Sequence, residues 1–192
     1  MNETVKLGVI LLSICAVAAG LLAISNQVTS DRIAMAEELA IEQAKQKLLN
    51  EAESFVILDD SKLNEVAGSD SNILEISEGY DGSSNLVGYV FKATANGFGG
   101  EIQFMLGVST EGHITGIEIL NHAESPGLGA NIEKSYFKES FIGKTAAGNL
   151  TSSIEPTGDN EIQALTSSTV TTNAMLNGVN QVLEVYNSKL SN

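Results

Sequence analysis

Gln163-Ala164-Leu165-Thr166-Ser167-Ser168-Thr169-Val170-Thr171-Thr172 is a run of hydroxyl side chains that ends where a helix is expected to begin. Downstream of it, Met175, Val179, Val182, Leu183 and Tyr186 recur at steps of three and four, which predicts a helix over residues 172–186 with one apolar face. The hydroxyls therefore stand at a helix start, where the first backbone N–H groups lack acceptors and the helix dipole is positive. Two readings follow. Ser or Thr oxygens can cap those N–H groups, or the same groups can hold an anion such as phosphate. The segment alone leaves both open.

An apolar helix face needs a surface to bury it. Residues 86–95, 101–108 and 114–120 read as strands, with Ile117 and Ile119 alternating against Glu118. Ser109-Thr110-Glu111-Gly112-His113 joins the last two, and Gly112 can supply the positive φ of a tight hairpin. An antiparallel sheet is expected, with the final helix packed on it and Thr169 at the exposed end. Tyr80, Tyr89, Phe91, Phe98 and Phe104 are expected in the sheet core. A short helix is expected over residues 136–141. The polar stretches 59–72 and 155–160 are expected to connect elements. The fold class is α+β.

The first part of the chain obeys different rules. Residues 7–25 carry no charge, a length that at about 1.5 Å per residue crosses a ~30 Å hydrocarbon layer. Ala16-Val17-Ala18 also has the form of a signal-peptide cleavage site. Cleavage there would leave Leu21-Leu22-Ala23-Ile24 exposed near a new N-terminus, so an uncleaved anchor is expected. Cys15, the only cysteine, fits the span as a small apolar side chain, and bulky Ile14 before it argues against lipidation. Ser30 can cap a stalk helix running to about residue 50, with Ile33, Ala36, Ala40, Ala44 and Leu48 on one face. The expected organisation is an anchor over 1–29, a stalk over 30–55 and a folded domain over 56–192. Lys6 and Arg32 flank the span equally and do not orient it. A net charge of −14 argues against nucleic acid and against docking of the folded domain on anionic lipid.

Two further segments carry the functional reading: Asn96-Gly97-Phe98-Gly99-Gly100-Glu101-Ile102, and His122-Ala123-Glu124-Ser125-Pro126-Gly127-Leu128-Gly129-Ala130 followed by residues 137–144. Together with the Thr169 segment, and in this order, they resemble the FMN-binding domain of the G subunit of Rnf complexes and of the C subunit of Na⁺-translocating NADH:quinone reductases. The resemblance is direct over residues 97–186. It implies that Thr169 carries FMN through a phosphoester bond, with Thr166, Ser167 and Ser168 in the places of the family's Ser, Gly and Ala and Gln163 in that of an Asp. Glu124 and Ser125 would belong to the site, Glu124 either bonding the flavin or orienting its loop.

With a flavin in view, the other residues take expected roles. The N–H groups of Val170, Thr171 and Thr172 can hold the phosphodiester. Gly127 and Gly129 can let the main chain pass against the isoalloxazine, with Leu128 on a ring face. His113 and His122 are expected to be surface or loop-stabilising residues, since the chain has no Cys/His cluster for a metal. No dinucleotide fingerprint or hydrolytic triad is visible.

The resemblance implies an electron-transfer subunit of a membrane-bound, ion-translocating ferredoxin:NAD oxidoreductase, without a complete active site in this chain. Its partners would be the other membrane and redox subunits, a flavin transferase and the lipid bilayer, and its flavin domain would lie on the extracytoplasmic side. A membrane-anchored flavin-binding sensory or interaction module is the alternative.

Overall fold

The computed structural model describes residues 3–68 and 71–191. Packing divides the chain into two units, Met1–Ile41 and Glu42–Asn192. The first unit is one stretch of a long helix, α1, which spans Glu3–Leu48. The residues 7–25 within it are exposed, and the helix is long and apolar enough to cross a membrane. A separate stalk helix capped by Ser30 does not form. The helix runs through Ser30, whose Oγ bonds back to the Gln27 carbonyl at 3.4 Å, because no Gly or Pro interrupts residues 21–48.

The second unit is organised by a five-stranded antiparallel sheet in the order β1-β2-β3-β4-β5. Its strands are β1 (Ser54–Ile57), β2 (Ile73–Tyr80), β3 (Leu86–Asn96), β4 (Glu101–Ser109) and β5 (Ile114–Asn121). The three strands expected from sequence form with their ends extended by one residue. Gly112 turns the β4–β5 hairpin at φ +77. The stretch read as a polar connection contains a helix, α2 (Asp60–Ala67), started by the Asp59 carboxylate on the Lys62 N–H at 2.9 Å and ended by Gly68. Its apolar residues, Leu63, Val66 and Ala67, were hidden among charges, but they pack on the core. After the sheet come a 3₁₀ turn (Gly129–Glu133), α3 (Ser135–Glu139), a parallel pair β6 (Thr151–Ser153) and β7 (Glu161–Gln163), and α4 (Thr169–Val185).

Both faces of the sheet are covered. On one, Tyr89, Phe91 and Ala93 of β3 and Ile102, Phe104 and Leu106 of β4 form the main core with Met175, Val179, Val182 and Leu183 of α4. Gly178 brings this helix close: a Cβ there would stand 3.0 Å from the Ala95 Cβ and 3.2 Å from the Phe104 ring. On the other face lie Ala44, Leu48 and Leu49 at the end of α1. They rest on a row of glycines in neighbouring strands, with Gly79 paired to Gly88 and Gly107 to Gly116. A Cβ on Gly88 would meet the Val108 carbonyl at 2.5 Å and Leu49 at 3.0 Å, and one on Gly116 would meet Leu48 at 3.1 Å. Lys45, only 1% exposed, places its ammonium 3.0 Å from Glu75 and 3.3 Å from Glu42, so its charge is paired inside this layer.

A second ion cluster joins α3 to β5 and to the end of α1. Burial pushes the Glu118 carboxyl up, but Lys138, at 2.9 Å, and Lys47 outweigh it and hold the group below the usual glutamate range. A depressed folded-state value stabilises the fold above the unfolded value, about 4.3, and that contribution disappears as pH falls through the folded value. Glu118→Gln is therefore expected to lower the denaturation midpoint at neutral pH and to match the parent in strong acid. For the glycine row, Gly88→Ala is expected to cost about 1–3 kcal/mol in denaturant unfolding, because its Cβ meets backbone that cannot yield.

Candidate functional site

The start of α4 is where the hydroxyl segment meets the two glycine-rich loops. The helix begins at Thr169, three residues earlier than the sequence predicts, with Ser168 as the residue before it. Apolar periodicity marks only where a helix begins to pack, and the first turn here projects beyond the sheet. Ser168 makes no side-chain cap bond. Among the described residues no protein acceptor serves the backbone N–H groups of Thr169, Val170 and Thr171, whereas that of Thr172 already bonds the Ser168 carbonyl at 3.0 Å. The open donors are thus at 169–171, and Thr172 drops out as a donor. Ser167 just before them has φ +61, a left-handed conformation costly for a residue with a Cβ.

A cleft of about 330 Å³ opens beside this helix start. It is lined by Phe98, Glu124, Ser125, Leu128, Gly129, Ser167, Ser168, Thr169 and Val170. Of the residues singled out from sequence, Thr166, Gly127 and Thr171 do not line it. Thr166 is exposed outside it, and Gly127 shapes its loop through φ +76. Phe98 was expected in the core but is 73% exposed at the cleft, because it sits at the tip of the β3–β4 hairpin where no sheet lies beneath it. An aromatic between Gly97 and Gly99 at a hairpin tip was the available signal.

Thr171 is fully buried behind the cleft and donates its hydroxyl to Glu124 Oε2 at 2.6 Å. The other oxygen, Oε1, accepts the Gly99 N–H at 2.8 Å. Ser168 donates to the Thr171 hydroxyl at 2.9 Å. One carboxyl, 6% exposed, therefore ties the hairpin tip, its own loop and the helix start. The glycines around it serve this tie. A Cβ on Gly129 would strike Glu124 Oε2 and stand 2.8 Å from the Thr171 hydroxyl, and one on Gly97 would strike Glu124 Oε1. Gly129 thus makes room for Glu124, in addition to lining the cleft with its backbone. His122 supports the same loop. Its Nδ1 accepts the Glu124 N–H at 3.1 Å while its Nε2 lies 3.2 Å from Glu133. His113 is exposed on the β4–β5 turn. No group of His, Cys, Asp and Glu that could hold a metal occurs among the described residues.

The arrangement matches what a flat aromatic ligand with a phosphate end requires. Its volume lies at the lower end of small-molecule sites, roughly 300–1,000 Å³. Phe98, Leu128 and Val170 give apolar walls, and the open N–H groups of residues 169–171 sit at one end beside the Thr169 hydroxyl. Both Glu124 oxygens already have donors.

Comparison with known proteins agrees with this architecture. A family model described as the FMN-binding domain matches residues 97–184, from the hairpin tip through most of α4. The fold is shared with crystal structures of NqrC from Shewanella oneidensis and of its counterpart in the Na⁺-translocating NADH-quinone reductase of Parabacteroides distasonis. Their TM-scores are 0.51 and 0.52 at 14% identity, and the alignments cover 73% and 72% of this chain and 81% and 79% of theirs. The sequence is 38% identical to the G subunit of the Na⁺-translocating ferredoxin:NAD⁺ oxidoreductase complex of Acetobacterium woodii, over 94% of this chain and 90% of that protein. It is 28% identical to the G subunit of the ion-translocating oxidoreductase complex of Methanosarcina acetivorans, over 98% and 97%. The chain belongs to the family of G subunits of ion-translocating oxidoreductase complexes.

The left-handed Ser167 gives a direct test of the helix entry. Ser167→Gly is expected to raise stability by about 0.5–1 kcal/mol, the relief of left-handed strain less the added chain entropy. Denaturant unfolding measures it.

Proposed function

We propose that this chain is a membrane-anchored electron-transfer subunit that carries FMN covalently, through a phosphoester bond on Thr169. The observation that carries the reading is the condition of the hydroxyls around the helix start. Thr171 donates to Glu124, Thr172 bonds the Ser168 carbonyl and accepts the Leu165 N–H, and Ser168 donates to Thr171. Thr169 is exposed, lines the cleft and has no protein partner among the described residues. It stands beside three N–H groups with no acceptor, which suit a phosphodiester anion.

Each residue then has a task. Thr169 anchors the phosphate, and the N–H groups of residues 169–171 hold its oxygens. Leu128, Phe98 and Val170 flank the ring and exclude water from it, and the backbone of Gly129 closes the cleft beside them. When bound, the isoalloxazine supplies one- and two-electron chemistry, and the protein fixes its position and environment. The apolar residues 7–25 supply the anchor. The named relatives belong to ion-translocating oxidoreductase complexes, which supports redox subunits of such a complex as electron donor and acceptor. A flavin transferase would load Thr169, and the flavin domain would face away from the cytoplasm, where a lost cofactor could not readily be replaced.

Thr169→Val removes one hydroxyl and keeps the β-branched shape. It is expected to abolish the FMN adduct in intact mass, and with it the flavin fluorescence of the denatured protein, without loss of folding. An adduct that persists on this variant would reject the assignment.

A further inference from the structure

Thr169 and Thr171 stand two residues apart, and Ser168 and Thr172 lie beside them. Attachment consumes an activated flavin nucleotide, one whose flavin phosphate carries a phosphoryl leaving group. An Oγ–P bond forms, the P–O bond to the leaving group breaks and its electrons depart with that group, and the hydroxyl proton passes to a base. Any of the four hydroxyls has the chemistry to serve, so something in the fold must choose.

We infer that Glu124 is the residue that confines flavin attachment to Thr169, by holding the Thr171 hydroxyl and, through it, that of Ser168. The inference rests on the proposed attachment and specifies how its position is set. Thr171 donates to Glu124 Oε2 at 2.6 Å and is fully buried, so its oxygen has no open approach from the cleft. Ser168 lines the cleft and would compete, but its proton is committed to Thr171 at 2.9 Å. Thr172 is separately engaged, donating to the Ser168 carbonyl at 3.0 Å and accepting the Leu165 N–H at 3.1 Å, and is buried. Glu124 is itself held at two further points and given room by two glycines. The Gly99 N–H fixes Oε1, His122 fixes its backbone N–H, and Gly97 and Gly129 carry no Cβ where one would strike the carboxyl. Attachment at Thr171 or Ser168 would replace the proton that the hydroxyl donates and forfeit its hydrogen bond, worth about two- to tenfold in an equilibrium, and on Thr171 it would set an anionic phosphodiester beside the buried carboxyl.

The test maps the site of attachment in full-length protein produced with its flavin transferase, by peptide mass spectrometry. Glu124→Gln keeps the volume of the side chain but replaces one acceptor oxygen with an N–H₂ donor, so it can no longer accept from both Gly99 and Thr171. The parent is expected to carry flavin on Thr169 alone. In Glu124→Gln a share of the flavin is expected on Thr171 or Ser168, read as a second modified residue. Thr171→Val tests the same chain from the other end and leaves Glu124 in place. It removes the acceptor of Ser168, which is then expected to take a share.

Circular dichroism establishes that each variant is folded, and simple destabilisation would lower the yield without moving the site. Flavin confined to Thr169 in both variants, or absent from both folded variants, overturns the inference. If one variant fails to fold, the other decides. A parent with flavin elsewhere, or with none, rejects the proposed attachment itself and is distinct from either outcome.

Discussion

The Glu124 carboxyl joins three segments that the chain brings together from far apart: the β3–β4 hairpin tip at Gly99, its own loop after β5, and the first turn of α4 at Thr171. Without that tie the cleft has no fixed width, because two of its walls are loops and the third is a helix end projecting past the sheet. A buried carboxyl is costly unless its oxygens are satisfied, and here both accept hydrogen bonds from the segments they join. The cost of burial therefore becomes a reason for the loops to stay in place. Three glycines follow from the same constraint. Gly97 and Gly129 leave space for the carboxyl, and Gly99 brings its N–H to it while keeping clear of the Ala123 carbonyl.

The opposite face of the sheet is governed by a similar logic of close approach. Gly79, Gly88, Gly107 and Gly116 remove side chains where Leu48 and Leu49 settle, so the end of α1 lies against backbone. The sheet is consequently buried on both faces, which explains why β3 and β4 read as nearly continuous apolar runs with little alternation. Lys45 enters this layer only because Glu75 and Glu42 meet its ammonium, and Ser77 in turn donates to Glu75 at 3.0 Å. Replacing both carboxylates would leave a buried charge unpaired.

Much of this architecture was legible where one physical rule dominates. Strands β3 to β5 and the buried face of α4 follow from hydrophobic spacing, and Gly112 from the turn geometry of a short hairpin. The grouping of Glu124, Ser125, Leu128 and Gly129 with residues 167–170 was legible from the family resemblance, and the structure brings those residues to one cleft. What escaped depends on tertiary contact. Helix α2 looks like a polar linker until a core receives Leu63 and Val66. The first turn of α4 buries only Thr171 and Thr172, two hydroxyl residues, so apolar periodicity could not report it. The role of Gly129 needed the position of Glu124, a residue close in sequence whose side chain turns back toward it.

Among the described residues that line the cleft there is no lysine or arginine, although the ligand proposed for it is anionic and the chain as a whole is strongly acidic. For a freely exchanging phosphate this would be a weak site, since affinity would rest on N–H donors alone against a negative background. A covalent link changes the requirement. The tether supplies the local concentration, so the protein need only orient the phosphate, and rigid backbone donors do this without ordering a long, flexible cationic side chain. Backbone N–H groups at a helix start present only the partial positive charge of the helix dipole, about half that of a lysine or arginine. On the proposed reading, the absence of a basic residue is therefore consistent with a site that fixes the geometry of an attached ligand and has no need to capture a free one.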